Sequence, residues 1–221
     1  MLTTSVENKV IQILSCFETG RKEVKYDAVY VYNDGKNRRR QVTLSYGFTE
    51  DGGNLYKMLQ FYEISNGKYS DQLLPYLPKI GTGVLHSSES FKTLLKEVAQ
   101  KDDFFNACQD FAFRALYLKR GYEKADGYGI KTNLGIAVVI DSVLHGSLDT
   151  VADTFREARP SRGGNEKLFI TAYVNARKKW LISKGIPLSN TVYRMTAFED
   201  AISKDNWDLS KPFNANGIII T

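Results

Sequence analysis

Apolar positions in the first third of the chain recur at spacings of three and four, and the period then changes to two. Val6, Val10, Ile13, Leu14 and Phe17 in "TTSVENKVIQILSCFE" fall on one helical face, Thr4 and Glu7 form a capping-box pattern, and Gly20 predicts the helix end. "YDAVYVYNDG" and "RRQVTLSYGF" are rich in Val, Tyr and Thr on either side of a turn signal, which predicts a β-hairpin. Helical spacing returns in "DGGNLYKMLQFYEISNG" with Leu55, Met58, Leu59 and Tyr62. Beyond it the pattern is almost wholly helical, with helices predicted over residues 88–100, 102–120, 133–145, 148–158, 167–184 and 195–203. Loops with Gly, Pro and Ser separate them, notably "LPYLPKIGTG", "RGYEKADGYG" and "RPSRGGN". The tail "DNWDLSKPFNANGIIIT" leaves the helical pattern and predicts a short strand. The fold class is therefore α+β, mostly helical, with a small sheet near the N-terminus. At 221 residues, with no internal repeat and no linker, the chain fits a single domain over 1–221, or two lobes sharing a core.

Composition narrows the function classes. A hydrophobic content of 43% with 25% charged residues is that of an ordinary globular protein. The longest apolar run, "LGIAVVI", falls far short of the roughly 20 residues that span a bilayer, so no membrane span is expected. "MLTTSVENKV" lacks a basic start followed by an apolar core, so no secretory signal is read there. An extracellular target would then be reached by lysis, by injection or as part of a larger secreted protein. Cys16 and Cys108 lie in apolar helical contexts and read as buried thiols rather than a disulfide. With only His86 and His145 beside them, no structural zinc or His-rich metal site can be assembled, and no metal or cofactor is expected. The net charge of +5 and the pI of about 9.0 suit an anionic partner, either nucleic acid or an anionic cell-wall polymer. The one dense basic cluster, "KNRRR" at 36–40, reads as a charged hairpin tip. No nucleic-acid-binding signature accompanies it, so nucleic acid is not the expected partner.

Three charges sit where the pattern calls for apolar residues. Asp141 follows "LGIAVVI" on a helix apolar on nearly every side, which should be central and buried. A buried carboxylate must be paired, since leaving it bare costs several kcal/mol. Arg177 in "YVNARKKWL" and Arg194 in "TVYRMTAF" are the candidate partners, because arginine stays charged and grips a carboxylate with two donors. Glu18 is the fourth oddity: it ends the first helix, where the helix dipole makes a carboxylate the wrong sign. One reading is a buried ion pair that fixes the last helices, with Glu18 joined to it. The other pairs Glu18 with Asp34, in the hairpin turn, as the two carboxyls that glycosidic bond cleavage needs: one protonated, one ionised. Asp34 in "NDG" is equally well an ordinary turn residue.

The ordered set "FETG", the "DG" turn, "LSYGFTEDGGNL", "LGIAVVIDSVLHGS", "YVNARKKWL", "TVYRMTAF" and "NWDLSKPFNANGIII" resembles glycoside hydrolase family 46, the chitosanases, within the lysozyme-like superfamily. The resemblance extends over almost the whole chain except residues 62–100. It implies a mostly helical two-lobed fold with a substrate cleft between the lobes, a central buried helix and a small sheet in the N-terminal lobe. The implied activity is endo-hydrolysis of β-1,4 links in a glucosamine-containing polymer with inversion. Glu18 matches the family's general acid and Asp34 its general base. Thr43 or Ser45 would hold the attacking water, and Asp141, Arg177 and Arg194 match an ionic network behind the acid. Two departures stand out. The inserted "KNRRRQ" shifts Thr43 and leaves Asp27 as a competing base. The basic pI also suits a carboxylate-bearing peptidoglycan strand better than polycationic chitosan. A non-catalytic carbohydrate or cell-wall-binding module on the same fold is the alternative reading, and the oligomeric state is left open.

Overall fold

In the computed structural model, residues 2–221 are described, and two compact units divide the chain. The first comprises the segment through Glu23 with Tyr117–Thr221, and the second comprises Val24–Leu116. In chain order the elements are α1 (Thr4–Thr19), β1 (Val29–Tyr32), β2 (Gln41–Leu44), β3 (Phe48–Thr49), α2 (Asn54–Ile64), α3 (Ser70–Leu73), α4 (Glu89–Lys101) and α5 (Asp103–Phe113). A π-helical turn at Arg114–Leu118 precedes α6 (Lys119–Tyr128). Then come α7 (Asn133–Leu144), α8 (Leu148–Val151), α9 (Glu166–Ser183), α10 (Tyr193–Ser203), β4 (Phe213–Ala215) and β5 (Ile218–Ile220). The α+β, mostly helical class expected from the sequence is the one observed.

The first unit is built around α7. Every residue from Leu134 to Ser142 is buried, as a helix apolar on all sides requires. It packs against α6, α9, α10 and α1. Gly121 lets α6 approach: a Cβ there would lie 2.6 Å from Ile140 Cγ1. "RGYEKADGYG" is therefore mostly helix rather than the expected loop, because its first glycine serves close packing and only Gly129, at φ +76°, ends the helix. Residues 148–158 hold a shorter helix than expected. The chain leaves α8 after Val151, Phe155 packs on Phe169 and Tyr173, and Arg159 bonds Asp153 while its guanidinium lies 4.0 Å from the centre of the Tyr128 ring. At the N-terminus Thr3, not Thr4, caps α1, accepting from the Val6 N–H at 3.4 Å. That shift takes Glu7 out of capping-box register, and its carboxylate accepts instead from the Tyr122 hydroxyl. The tail forms a two-stranded hairpin, β4–β5, packed on α1 and α10, and the buried Lys9 ties it down with hydrogen bonds to the Leu209 and Lys211 carbonyls.

The second unit carries the predicted hairpin plus one short further strand, in the antiparallel order β1–β2–β3. Tyr32 faces Gln41 and Val29 faces Leu44. Helices α2, α4 and α5 supply its core, with Tyr62, Phe91 and Phe105 fully buried. Tyr62 donates to Asp102 and accepts from the Tyr69 N–H, and Gly67 is required beside it, since a Cβ there would strike the ring at 2.2 Å. Asp110 of α5 accepts from the hydroxyls of Tyr26 and Tyr46. Among the described residues no helix is long and apolar enough to cross a membrane.

Candidate active site

Glu18 lies on the last turn of α1, one residue before the helix ends at Thr19, and Gly20 caps that end at φ +69°. The four last carbonyls of a helix lack intrahelical partners and carry partial negative charge, and the last turn of α1 holds no basic residue of its own. The missing cation comes from α10. Arg194 Nη2 donates to Glu18 Oε1 at 2.7 Å and to the Phe17 carbonyl at 3.3 Å, and the Tyr193 hydroxyl donates to the same carbonyl at 2.6 Å. Arg194 is itself wrongly signed for its place, the first turn of α10, where the dipole favours an anion. Each charge opposes its own helix and matches the other's.

Asp141 completes the arrangement. It is 0% exposed, receives Arg194 Nη1 at 2.9 Å on Oδ1, and receives Arg177 Nη1 on Oδ2. Arg177 Nη1 also donates to Ser142 Oγ, which in turn donates to the Val138 carbonyl. Burial alone would raise the Asp141 pKa, but Arg177 and Arg194 outweigh it and hold the carboxyl below its ordinary range. Burial likewise opposes the charge on Arg194, and Glu18 with Asp141 reverses that, raising its pKa. Arg177, Asp141 and Arg194 thus make a buried ionic chain that ends on the partly exposed Glu18. All three expected network residues converge, with one refinement: Arg194 alone grips Glu18, and Arg177 acts through Asp141. His145, on the same turn of chain, is driven down to about 3 by burial and by the two guanidinium groups, so it is neutral.

Asp34 is exposed and lies in the turn after β1, in the second unit. Gln41 Nε2 donates to its Oδ1 at 2.9 Å, while Gln41 Oε1 accepts the Asp51 N–H at 2.9 Å. Asp51 in turn accepts from the Lys36 N–H and pairs with Arg39 Nη2. Thr43 and Ser45 follow on β2 and just past it, both with buried hydroxyls that have no hydrogen-bond partner among the described residues. Asp27 accepts from Gln100 Nε2 at 2.8 Å, a surface bond that ties it to α4. Sequence reasoning missed Gln41, Asp51 and Tyr193. A glutamine at the start of a strand carries no periodic or charge signal, and its partner is seven residues away across a turn.

The pattern of glycosyl hydrolase family 46 matches residues 12–213. The chain belongs to glycosyl hydrolase family 46. A chitosanase of Bacillus subtilis (strain 168) is 24% identical over 234 residues, covering 96% of this chain and 82% of that protein. The native chitosanase of Bacillus subtilis MY002 superposes with a TM-score of 0.86 at 22% identity over 100% of both chains. A family 46 chitosanase of Gynuella sunshinyii in complex with chitotetraose gives 0.82 at 19% identity, over 99% of this chain and 98% of that one. These solved structures share the fold. As a family 46 member the protein is a glycoside hydrolase with a polysaccharide substrate, and the binding-module alternative falls away.

Proposed function

We propose that this family 46 enzyme is a chitosanase, with Glu18 as general acid and Asp34 as general base. The curated relative and both structural neighbours named above are chitosanases, and that is what supports chitosan as the polymer. In this reading Glu18 delivers its proton to the glycosidic oxygen. Asp34 takes a proton from a water that attacks the anomeric carbon from the opposite face, inverting it. Thr43 and Ser45, whose buried hydroxyls have no hydrogen-bond partner among the described residues, are the candidates to hold that water. The observation that carries the assignment of the acid is the Arg194 bond to Glu18, because it fixes a partly exposed carboxyl against a buried ionic chain. Arg194 is shared between two carboxylates, so its charge is not concentrated on the acid. Inversion calls for about 6.5–9.5 Å between the two carboxyls. Asp27, which accepts from Gln100 of α4, is the competing base candidate.

A second substrate reading rests on charge. The pI of about 9.0, with exposed Lys36, Arg38 and Arg40 directly after Asp34, suits a polymer with carboxylates, such as a peptidoglycan strand. Reducing-end release from chitosan and from peptidoglycan separates the two; release from peptidoglycan alone would overturn the chitosanase assignment. Glu18→Gln is expected to lower kcat at least a thousandfold with the fold retained, and full activity in that variant would overturn its role. Asp34→Asn and Asp27→Asn, assayed side by side, decide the base: only the Asp34 variant should lose activity.

A further inference from the structure

Gln41 occupies a position that the mechanism above does not use. It is buried on the first residue of β2, opposite Tyr32, and both ends of its amide are engaged. The NH2 donates to Asp34 Oδ1, and the carbonyl accepts the Asp51 N–H. The second bond fixes the amide's orientation, so the end that faces Asp34 is the donor. Asp51 is itself anchored. Arg39 pairs with its carboxylate, the Lys36 N–H donates to it, and Arg39 Nη2 also reaches the Gly81 carbonyl at 2.6 Å. The turn between Asp34 and Gln41 is closed by the Gly35 N–H to the Arg39 carbonyl at 3.0 Å. Gly35 itself has an extended backbone, but a Cβ there would lie 2.5 Å from Asp51 Oδ2 and 2.7 Å from the Arg39 carbonyl. The glycine is required by close approach, not by its dihedral angles.

We infer that Gln41 is a positioning residue for the general base: it orients Asp34, and the inserted basic segment exists in part to brace it through Arg39 and Asp51. The inference rests on the assignment of Asp34 as base. A carboxylate that must accept a proton from water benefits from a neutral donor on one oxygen, which leaves the other oxygen for the water. A cation in the same place would bind the base more strongly and hold its proton affinity down. Arg39, whose guanidinium is held within the turn, is instead spent on Asp51. The charged groups held around this turn are Asp51, Arg39 and Glu50, with Lys36, Arg38 and Arg40 exposed on the loop. The loop's basic character therefore has one internal use, distinct from any contact with a partner.

The test is a pH–rate profile of Gln41→Glu against wild type on the same polymer, so that the polymer's own titration cancels. The new carboxylate keeps the acceptor for the Asp51 N–H but opposes Asp34 with a like charge. The acidic limb of kcat should move up by about one pH unit, with KM nearly unchanged. Gln41→Met, which removes both bonds without adding charge, should lower kcat about tenfold at constant KM, and it serves where the Glu variant fails to fold. An unmoved limb in a folded Gln41→Glu protein, or an unchanged kcat in Gln41→Met, would overturn the inference. Asp34→Asn separates the failures: if it is inactive, only the role of Gln41 falls, whereas if it is active, the base assignment falls and the inference with it.

Discussion

The two candidate catalytic carboxyls are held by opposite means. Glu18 is fixed by a buried ionic chain in which Arg194 and Asp141 are 4% and 0% exposed, and the anchoring charges come from three helices, α7, α9 and α10. Asp34 is exposed and fixed by one neutral amide, which is braced in turn by a partly exposed ion pair from its own loop. Buried charges cannot be removed singly without leaving another one bare, so the Glu18 anchor is bound up with the stability of its unit. The amide can be removed at small structural cost, so the Asp34 anchor should affect rate more than stability. An acid that must gain and release a proton is set beside strong, fixed charge, whereas a base that must stay available is left with a weak, adjustable partner.

Breaking the first anchor should give the largest effect. Asp141→Asn leaves Arg177 buried with its charge uncompensated and should destabilise the protein by about 3–5 kcal/mol, read by urea unfolding. Adding Arg177→Met should recover much of that loss, because Arg194 still has Glu18. A double variant as unstable as the sum of the singles would show that the two residues do not act as a pair.

How far this contrast was legible in the sequence follows the same division. Asp141, Arg177 and Arg194 stood out because charge on an apolar helical face is visible in a local window, and a buried charge needs a partner wherever it lies. The direct partner of Glu18 could not be told from the other arginine, since the choice depends on where α9 and α10 cross. Gly121 was misread as a loop signal because the need for close packing on Ile140 is a property of two helices, not of one. The helix over residues 148–158 was overextended because Phe155 finds its partners on α9, and that contact outweighs local helical spacing. Gln41 left no mark at all, because its function lies in two hydrogen bonds made across a turn.

Acid should sharpen the comparison next. The His145 pKa in the folded protein, about 3, lies below its ordinary value of 6.5, so the unfolded chain binds the proton first as pH falls. Stability contributed by neutral His145 is whole above pH 6.5 and is lost progressively down to about 3. The slope is at most about 1.4 kcal/mol per pH unit. Asp141, also lowered, adds its loss only below the ordinary carboxylate range. His145→Gln should flatten the decline between pH 6 and 4 in unfolding measurements. An unchanged slope would mean that other groups govern it.

The smallest effect should come from the brace beneath Asp34. The Arg39 side chain is 36% exposed and that of Asp51 16%, so their ion pair belongs to the class worth about 0–1 kcal/mol. Arg39→Met should therefore lower stability by less than about 1 kcal/mol, and added salt should reduce even that difference. Its effect on rate should be larger than its effect on stability. Without Arg39, the Asp51 carboxylate keeps only the Lys36 N–H among its described partners in the turn, and the Asp51 N–H that orients Gln41 loses its fixed position. The signature is a several-fold fall in kcat in a protein whose unfolding midpoint scarcely moves. A fall in stability of 3 kcal/mol or more would put Arg39 in the same class as Arg177 and erase the distinction between the two anchors.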